Sequence, residues 1–213
     1  KRNIDGFYTY IGVGRGDGTA QGEYASIFFN TQKIRLVKTS YFWLSSSPDK
    51  PSKDWDPDNY RICTWGLFED IETQKQFFVY NTHFGFTQEF RREATQLIRN
   101  KIREISNEEL GKISPIFLLG DFNIRYSNAK FEPLKDLFEE SYLKKYGDMP
   151  GEYTYVPGWR LRSTIPQSDS RIDLILISEP IEVNNITVLK DTRPNTILTY
   201  SDHLPVLLNC TIY

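Results

Sequence analysis

Apolar, strand-like runs in this chain repeatedly meet a carboxylate or an imidazole at their mouths. That pattern restricts the fold more than any other feature. Pro115-Ile116-Phe117-Leu118-Leu119 ends in Gly120-Asp121-Phe122-Asn123, and Arg171-Ile172-Asp173 opens another apolar run. His83 closes Asn81-Thr82-His83, and His203 closes Ser201-Asp202-His203. Such groups are awkward inside a packed sheet. They are tolerated where strand ends reach solvent, which is also where binding sites are built. The sequence has 2 histidines, and each lies in one of these segments. Their recurrence points to one site assembled from several strand ends.

The pattern between the motifs is mostly strand. Phe7 to Gly14, Tyr24 to Phe29 and Lys33 to Leu44 are rich in aromatic and β-branched residues and are separated by polar turns. Arg61 to Glu69 and Gln76 to Thr82 read as a hairpin pair. The period then changes: Phe90, Ala94, Leu97, Ile98, Ile102 and Ile105 share one helical face. A strand over Ile116 to Leu119 follows, then a shorter helix over Phe131, Leu134, Leu137 and Phe138. Glu152 to Val156 reads as a further strand, ahead of a polar loop from Val156 to Ser170. Ile172 to Ile177, Val183 to Leu189 and Leu204 to Ile212 are the last strands. No repeat and no linker interrupts them. Strand-rich halves with few helices predict two sheets packed face to face, flanked by helices.

The motif residues suit phosphate-ester chemistry. A carboxylate at Asp121 can accept a proton from water, and the Asn123 amide can hold that water or a phosphate oxygen. In an extended segment both point to one side while Phe122 points inward. The alternative is an Asp-x-Asn turn that caps the next segment. Asp202 is a hard oxygen ligand suited to Mg²⁺ or Mn²⁺. His203 would face the scissile phosphate, its other ring nitrogen held by Asp173. A turn cap and a surface imidazole are the plainer readings of Asp202 and His203. Trp55 and Trp159 sit in polar loops and could border a substrate groove with Arg61, Arg160 and Arg162, since an indole can stack on a base or sugar. Trp65 falls within a strand pattern and reads as buried. Cys63 and Cys210 read as small buried hydrophobes, without metal spacing or a disulfide framework.

Taken in order, the NTH, GDFN, RID and SDH segments resemble the endonuclease/exonuclease/phosphatase superfamily, with its deoxyribonuclease I-like fold. Tyr10-Ile11-Gly12-Val13-Gly14-Arg15, Gly22-Glu23-Tyr24, Phe42-Trp43-Leu44-Ser45 and Arg61-Ile62-Cys63-Thr64-Trp65 are similar to a bacterial branch of it. The similarity runs from about Phe7 to the C-terminus. It implies an α/β (α+β) four-layer sandwich: two mainly antiparallel sheets between helices. It implies that Asp121 activates the nucleophile, that Asn123 orients it, and that Glu23 pairs with His83 as Asp173 pairs with His203. The family also has an Asn-bearing strand, a helix and a strand ending in Gln-Glu, whose Glu is the principal metal ligand. No Gln-Glu pair precedes Tyr10 here. Residues 1–213 are therefore expected to form a single domain lacking an N-terminal strand–helix–strand, a monomer when complete.

Charge and length bound the function. The 26 basic and 28 acidic residues give a net charge of −2, which argues against tight binding of duplex nucleic acid through phosphate neutralisation. No apolar run approaches the roughly 18 residues of a membrane span. No Walker loop, dinucleotide fingerprint, serine elbow or zinc spacing is present. The expectation is a divalent-metal-dependent phosphoesterase acting on a nucleic acid, nucleotide, lipid headgroup or sugar phosphate. Its rival is a non-catalytic phosphate-binding module on the same fold. Compartment is not readable from the sequence.

Overall fold

The computed structural model describes residues 6–110, 115–147, 152–155, 171–190 and 201–213. Strands β1 (Tyr8–Ile11), β2 (Ile27–Asn30), β3 (Ile34–Trp43), β4 (Ile62–Asp70) and β5 (Gln76–His83) precede helix α1 (Gln88–Leu110). Strand β6 (Ile116–Asp121), a 3₁₀ helix (Ala129–Leu134), the short β7 (Glu139–Glu140) and helix α2 (Ser141–Tyr146) follow. Strands β8 (Asp173–Ile177), β9 (Ile181–Val188) and β10 (Val206–Ile212) complete the described chain.

Six strands form one mixed sheet in the order β3-β4-β5-β6-β8-β7. Its one parallel pair among the described residues is β5–β6. A parallel pair needs a crossover, and α1 provides it. Thr87 starts that helix: its Oγ1 accepts from the Phe90 amide at 3.0 Å. Phe90, Ala94, Ile98, Ile102 and Ile105 are buried on the inner face of α1, as the helical spacing predicts.

Side-chain alternation divides the sheet. Phe78, Tyr80, Ile116, Leu118, Leu174 and Leu176 join the α1 residues in one large core, together with Phe131 and Leu134 of the 3₁₀ helix. Intervening residues point the other way, where two antiparallel ribbons lie. The β9–β10 ribbon packs Ile181, Val183 and Ile186 with Phe117 and Ile177. The β1–β2 ribbon packs Ile11 and Ile27 with Phe68. This is the expected packing of two sheet layers with flanking helices. Between the ribbons runs an apolar trough with Leu119 on its floor; Ile27, Phe28 and Phe29 line it on the β2 side, and Leu204, Pro205 and Val206 on the β10 side.

The structure corrects several local expectations. Tyr24 makes only an isolated bridge to Gly14, and β2 begins at Ile27. The second helix is a short 3₁₀ helix, because Pro133 lies inside it and cannot donate an α-helical bond. The Glu152 to Val156 strand reduces to a bridge between Tyr155 and His203, and Val156 lies outside the described residues. Helix α2 was not expected; Glu140 caps it by accepting from the amides of Tyr142 and Leu143.

Candidate active site

His83, Asp121 and Asp173 form a row across three adjacent strands. His83 lies opposite Asp121 in the β5–β6 register, and Asp121 lies opposite Asp173 in the β6–β8 register. All three side chains share the face that carries the ribbons, because each follows the outward parity of Val79, Leu119 and Ile175. Strand spacing of about 4.8 Å then brings the three side chains within reach of one another. Gly120 allows the close approach. Its φ is +140°, and a Cβ there would sit 1.9 Å from the Thr82 carbonyl oxygen.

His203 closes the row from the segment before β10. Its Nδ1 lies 2.7 Å from Asp173 Oδ2. A carboxylate can only accept, so Nδ1 carries the proton and Nε2 is turned toward Asp121. His203 Nε2 is 3.7 Å and His83 Nε2 3.4 Å from the same oxygen, Asp121 Oδ2. One carboxylate oxygen thus lies between two imidazoles. The other oxygen, Oδ1, accepts from the Asn123 amide at 2.8 Å.

Burial pushes the Asp121 carboxyl up to about 6, helped by the nearby Asp173 and opposed by the Asn123 amide, His203 and Arg61. The two imidazoles diverge. Burial lowers His83 to about 4, reinforced by Arg61, Arg15 and His203 and only partly offset by Glu23. His203 is raised above its ordinary value, chiefly by its hydrogen bond to Asp173. The two imidazoles are thus shifted in opposite directions, His83 toward its neutral form and His203 toward its cationic form.

The remaining candidates are placed less uniformly. Asn123 does not continue β6 in extended form. The strand ends at Asp121, Phe122 turns fully into the core, and Asn123 has a φ of 53°, a left-handed conformation that Asn tolerates. Its Nδ2 donates to the Phe84 carbonyl at 2.8 Å, tying the loop after β6 to the loop after β5. The Asp-x-Asn segment is therefore a turn, and it lies beside the row of His83, Asp121 and Asp173. Glu23 is exposed. Its Oε2 is 2.8 Å from Arg15 Nη1 and 3.7 Å from His83 Nδ1, so its first partner is Arg15.

Arg61 does not line a groove. It is 3% exposed, and its Nε donates to the buried Asp56 Oδ2 at 2.9 Å. Its charge reaches His83 without an open surface for substrate. Trp55 is half-buried with its ring against the main core, while its carbonyl accepts from Thr87 Oγ1 at 2.7 Å. Trp65 is buried as expected. Cys63 is buried, Cys210 half-buried, and both are free. Trp159, Arg160 and Arg162 lie outside the described residues.

Three contributors escaped the sequence reading. Arg15 sits between Glu23 and Asn59, accepted by Asn59 Oδ1 at 3.2 Å. Asp56 neutralises Arg61. Arg91 on α1 donates to the carbonyls of Gly85 and Asn123, joining the same two loops as the Asn123 side chain. An Arg in the first turns of a helix that follows the strand ending in the histidine was the available signal for Arg91. Nothing in the sequence singles out Asp56 within its acidic loop.

Asp121, Asp173 and His203 each offer a ligand atom, and these atoms lie within 4.8 Å of one another. Two carboxylates beside an imidazole suit a hard divalent cation. Asp202, expected as the metal ligand, is outside that group; its charge acts on His203 instead.

Residues 43–203 match the Endonuclease/Exonuclease/phosphatase family. An endonuclease/exonuclease/phosphatase family protein from Bacteroides thetaiotaomicron is similar with a TM-score of 0.80 and 34% identity, over 96% of this chain and 76% of that one. A mannosyl-6-phosphatase from Bacteroides thetaiotaomicron VPI-5482 gives a TM-score of 0.78 at 34% identity, over 96% of this chain and 77% of that one. An uncharacterized protein, L388, of Acanthamoeba polyphaga mimivirus is 33% identical over 102 residues, 46% of this chain. The match spans 36% of that viral protein's length.

Proposed function

The chain belongs to the endonuclease/exonuclease/phosphatase family, and from that premise we propose that it hydrolyses a phosphoric ester by in-line attack of water, with Mg²⁺ or Mn²⁺ bound at the site. The observation that carries this reading is the position of Asp121 Oδ2 between two imidazoles whose titrations are driven apart. Opposed shifts within one cluster are the signature of acid–base roles set by environment.

Asp121 and Asp173 are the carboxylates that would hold the cation, and Asp202 adds negative charge beside His203. Once bound, the cation supplies positive charge against the phosphate oxygens and the departing oxygen. Asp121 takes the proton from the attacking water, as its ionised carboxylate. Asn123 orients that water through the carbonyl end of its amide, since Nδ2 is used by Phe84. His203, oriented by Asp173, donates from Nε2 to the phosphate as negative charge develops. His83 stays neutral and offers a hydrogen bond without adding a second full charge. Glu23 supports His83 weakly, at 3.7 Å.

For the substrate, a small phosphomonoester of the sugar-phosphate class fits best. A relative at 34% identity is a mannosyl-6-phosphatase, and a net charge of −2 gives little grip on a polyanion. The trough supports reading 1–213 as part of one domain whose ribbon layer takes further strands. It has an apolar floor, and β2 and β10 each lack a partner on the edge facing it among the described residues.

The test is hydrolysis of mannose 6-phosphate, p-nitrophenyl phosphate and bis-p-nitrophenyl phosphate, with Mg²⁺, with Mn²⁺ and with EDTA. Monoester turnover that needs the metal and disappears in Asp121→Asn is expected. Turnover that survives EDTA or Asp121→Asn overturns the mechanism. Saturable phosphate binding without turnover of any ester would favour the non-catalytic module.

A further inference from the structure

Asp173 and His203 belong to different sheets. Asp173 opens β8 of the six-stranded sheet, whereas His203 precedes β10 of a two-stranded ribbon. Sheet hydrogen bonds therefore do not set the distance between them, yet their side chains meet at 2.7 Å. The segment 152–155 lies at this end of both strands. Thr154 is fully buried. Its Oγ1 accepts from the amides of Ile172 at 3.1 Å and Asp173 at 3.0 Å. Its carbonyl accepts from the Leu204 amide at 2.7 Å. The next residue, Tyr155, bridges His203 through the backbone, and the two rings lie 5.1 Å apart between centroids.

We infer that Thr154 is a positioning residue: its hydroxyl oxygen and its carbonyl grip the two backbones that carry Asp173 and His203 and fix the carboxylate–imidazole contact. The inference rests on the reading of His203 as a group that acts on the substrate phosphate. Ordinary packing would account for a buried Thr, but not for three hydrogen bonds divided between the backbones on either side of one functional pair. A free amide pair at Ile172 and Asp173 would also be costly at a half-buried site, so the Oγ1 atom has a defined task that a methyl group cannot perform. Valine keeps the shape of Thr154 and removes that acceptor. Serine keeps the acceptor.

The experiment compares the parent with Thr154→Val and Thr154→Ser. The first readout is the tautomer of neutral His203, read from imidazole ¹⁵N chemical shifts without added metal. With 2 histidines in the chain, His83→Ala assigns the signals. The parent and Thr154→Ser should show the Nδ1–H form, and Thr154→Val should move toward the Nε2–H form common in free imidazole. The second readout is turnover: kcat should fall about 10- to 100-fold in Thr154→Val, as expected for a supporting shell around a catalytic group, with KM nearly unchanged and recovery in Thr154→Ser. A folded Thr154→Val protein with the parent's tautomer and kcat overturns the inference. If Thr154→Val does not fold, amide exchange in the parent decides: Ile172 and Asp173 should be protected, and rapid exchange at both overturns the assignment. A parent that shows the Nδ1–H tautomer but hydrolyses no phosphoester would sink the proposed activity while leaving the positioning role intact.

Discussion

His83 and Asp121 face each other across the parallel β5–β6 pair, with Nε2 and Oδ2 3.4 Å apart. Neighbouring strands of one sheet hold them, so their relation is set by backbone hydrogen bonds. The contact between Asp173 and His203, by comparison, spans two sheets. One half of the site is thus fixed by register and the other by tertiary packing.

Asp121→Asn should lower turnover by about 10²- to 10⁴-fold, the range for losing a general base. It should also stabilise the metal-free protein. The Asp121 carboxyl is raised from 3.8 to about 6, so folding favours its neutral form. A raised group contributes its stability below the unfolded value and loses it as pH rises through the folded value. Asn mimics the neutral form at every pH. The variant should match the parent near pH 3.8 and gain on it up to about pH 6, reaching roughly 3 kcal/mol at 1.36 kcal/mol per unit. Urea unfolding in EDTA across that window checks this, and a variant less stable than the parent at neutral pH contradicts it.

The pH dependence of kcat/KM should be bell-shaped. Turnover should rise as Asp121 ionises, at or below about pH 6, because a bound cation favours the carboxylate. It should fall as His203 loses its proton, above the ordinary imidazole value. His203→Ala should remove the alkaline limb along with most activity. His83→Ala should lower the curve without moving that limb, since His83 stays neutral down to about 4. An alkaline limb that persists in His203→Ala assigns it to another group.

Arg61→Met should destabilise the fold by about 3–5 kcal/mol, the cost of leaving a buried charge unpaired. Arg61 and Asp56 are 3% and 6% exposed at their side chains and bond at 2.9 Å. Arg61→Met with Asp56→Leu should recover much of that loss. Denaturant titration of both variants separates a structural pair from a substrate contact, because a contact residue at an open surface would cost little stability.

Glu23→Gln should reduce turnover less than about tenfold. Glu23 is 64% exposed at its side chain, and its nearer partner is Arg15 rather than His83, so the ion pair is weak in water. Steady-state kinetics with p-nitrophenyl phosphate measure this; a loss as large as that of Asp121→Asn would place Glu23 among the catalytic groups.

Much of the site was legible because its residues interrupt apolar strands. The apolar run that includes Leu119 also makes Asp121 conspicuous two positions later, and alternation puts both on one face. The α1 helix was legible for the same reason: Phe90 to Ile105 keep a single period. What pattern cannot convey is which outward positions meet solvent and which meet another layer. Arg61 and Trp55 read as groove residues because they are polar or loop-borne, but Asp56 and the main core enclose them. Asn123 escaped the alternation rule because one left-handed residue, at φ 53°, ends the extended geometry that the rule assumes. Thr154 escaped because hydroxyl bonds to distant backbone leave no periodic trace.

Gly120 limits how this site can be varied. Any side chain at that position meets the Thr82 carbonyl at 1.9 Å, and relieving the clash means moving β6 away from β5. The histidine and the aspartate would separate by the same movement. A randomised library selected for turnover should therefore return glycine at position 120 whatever ester is used for selection. New specificities would have to come from residues outside the strand row, so the chemical step and the choice of substrate can be changed independently.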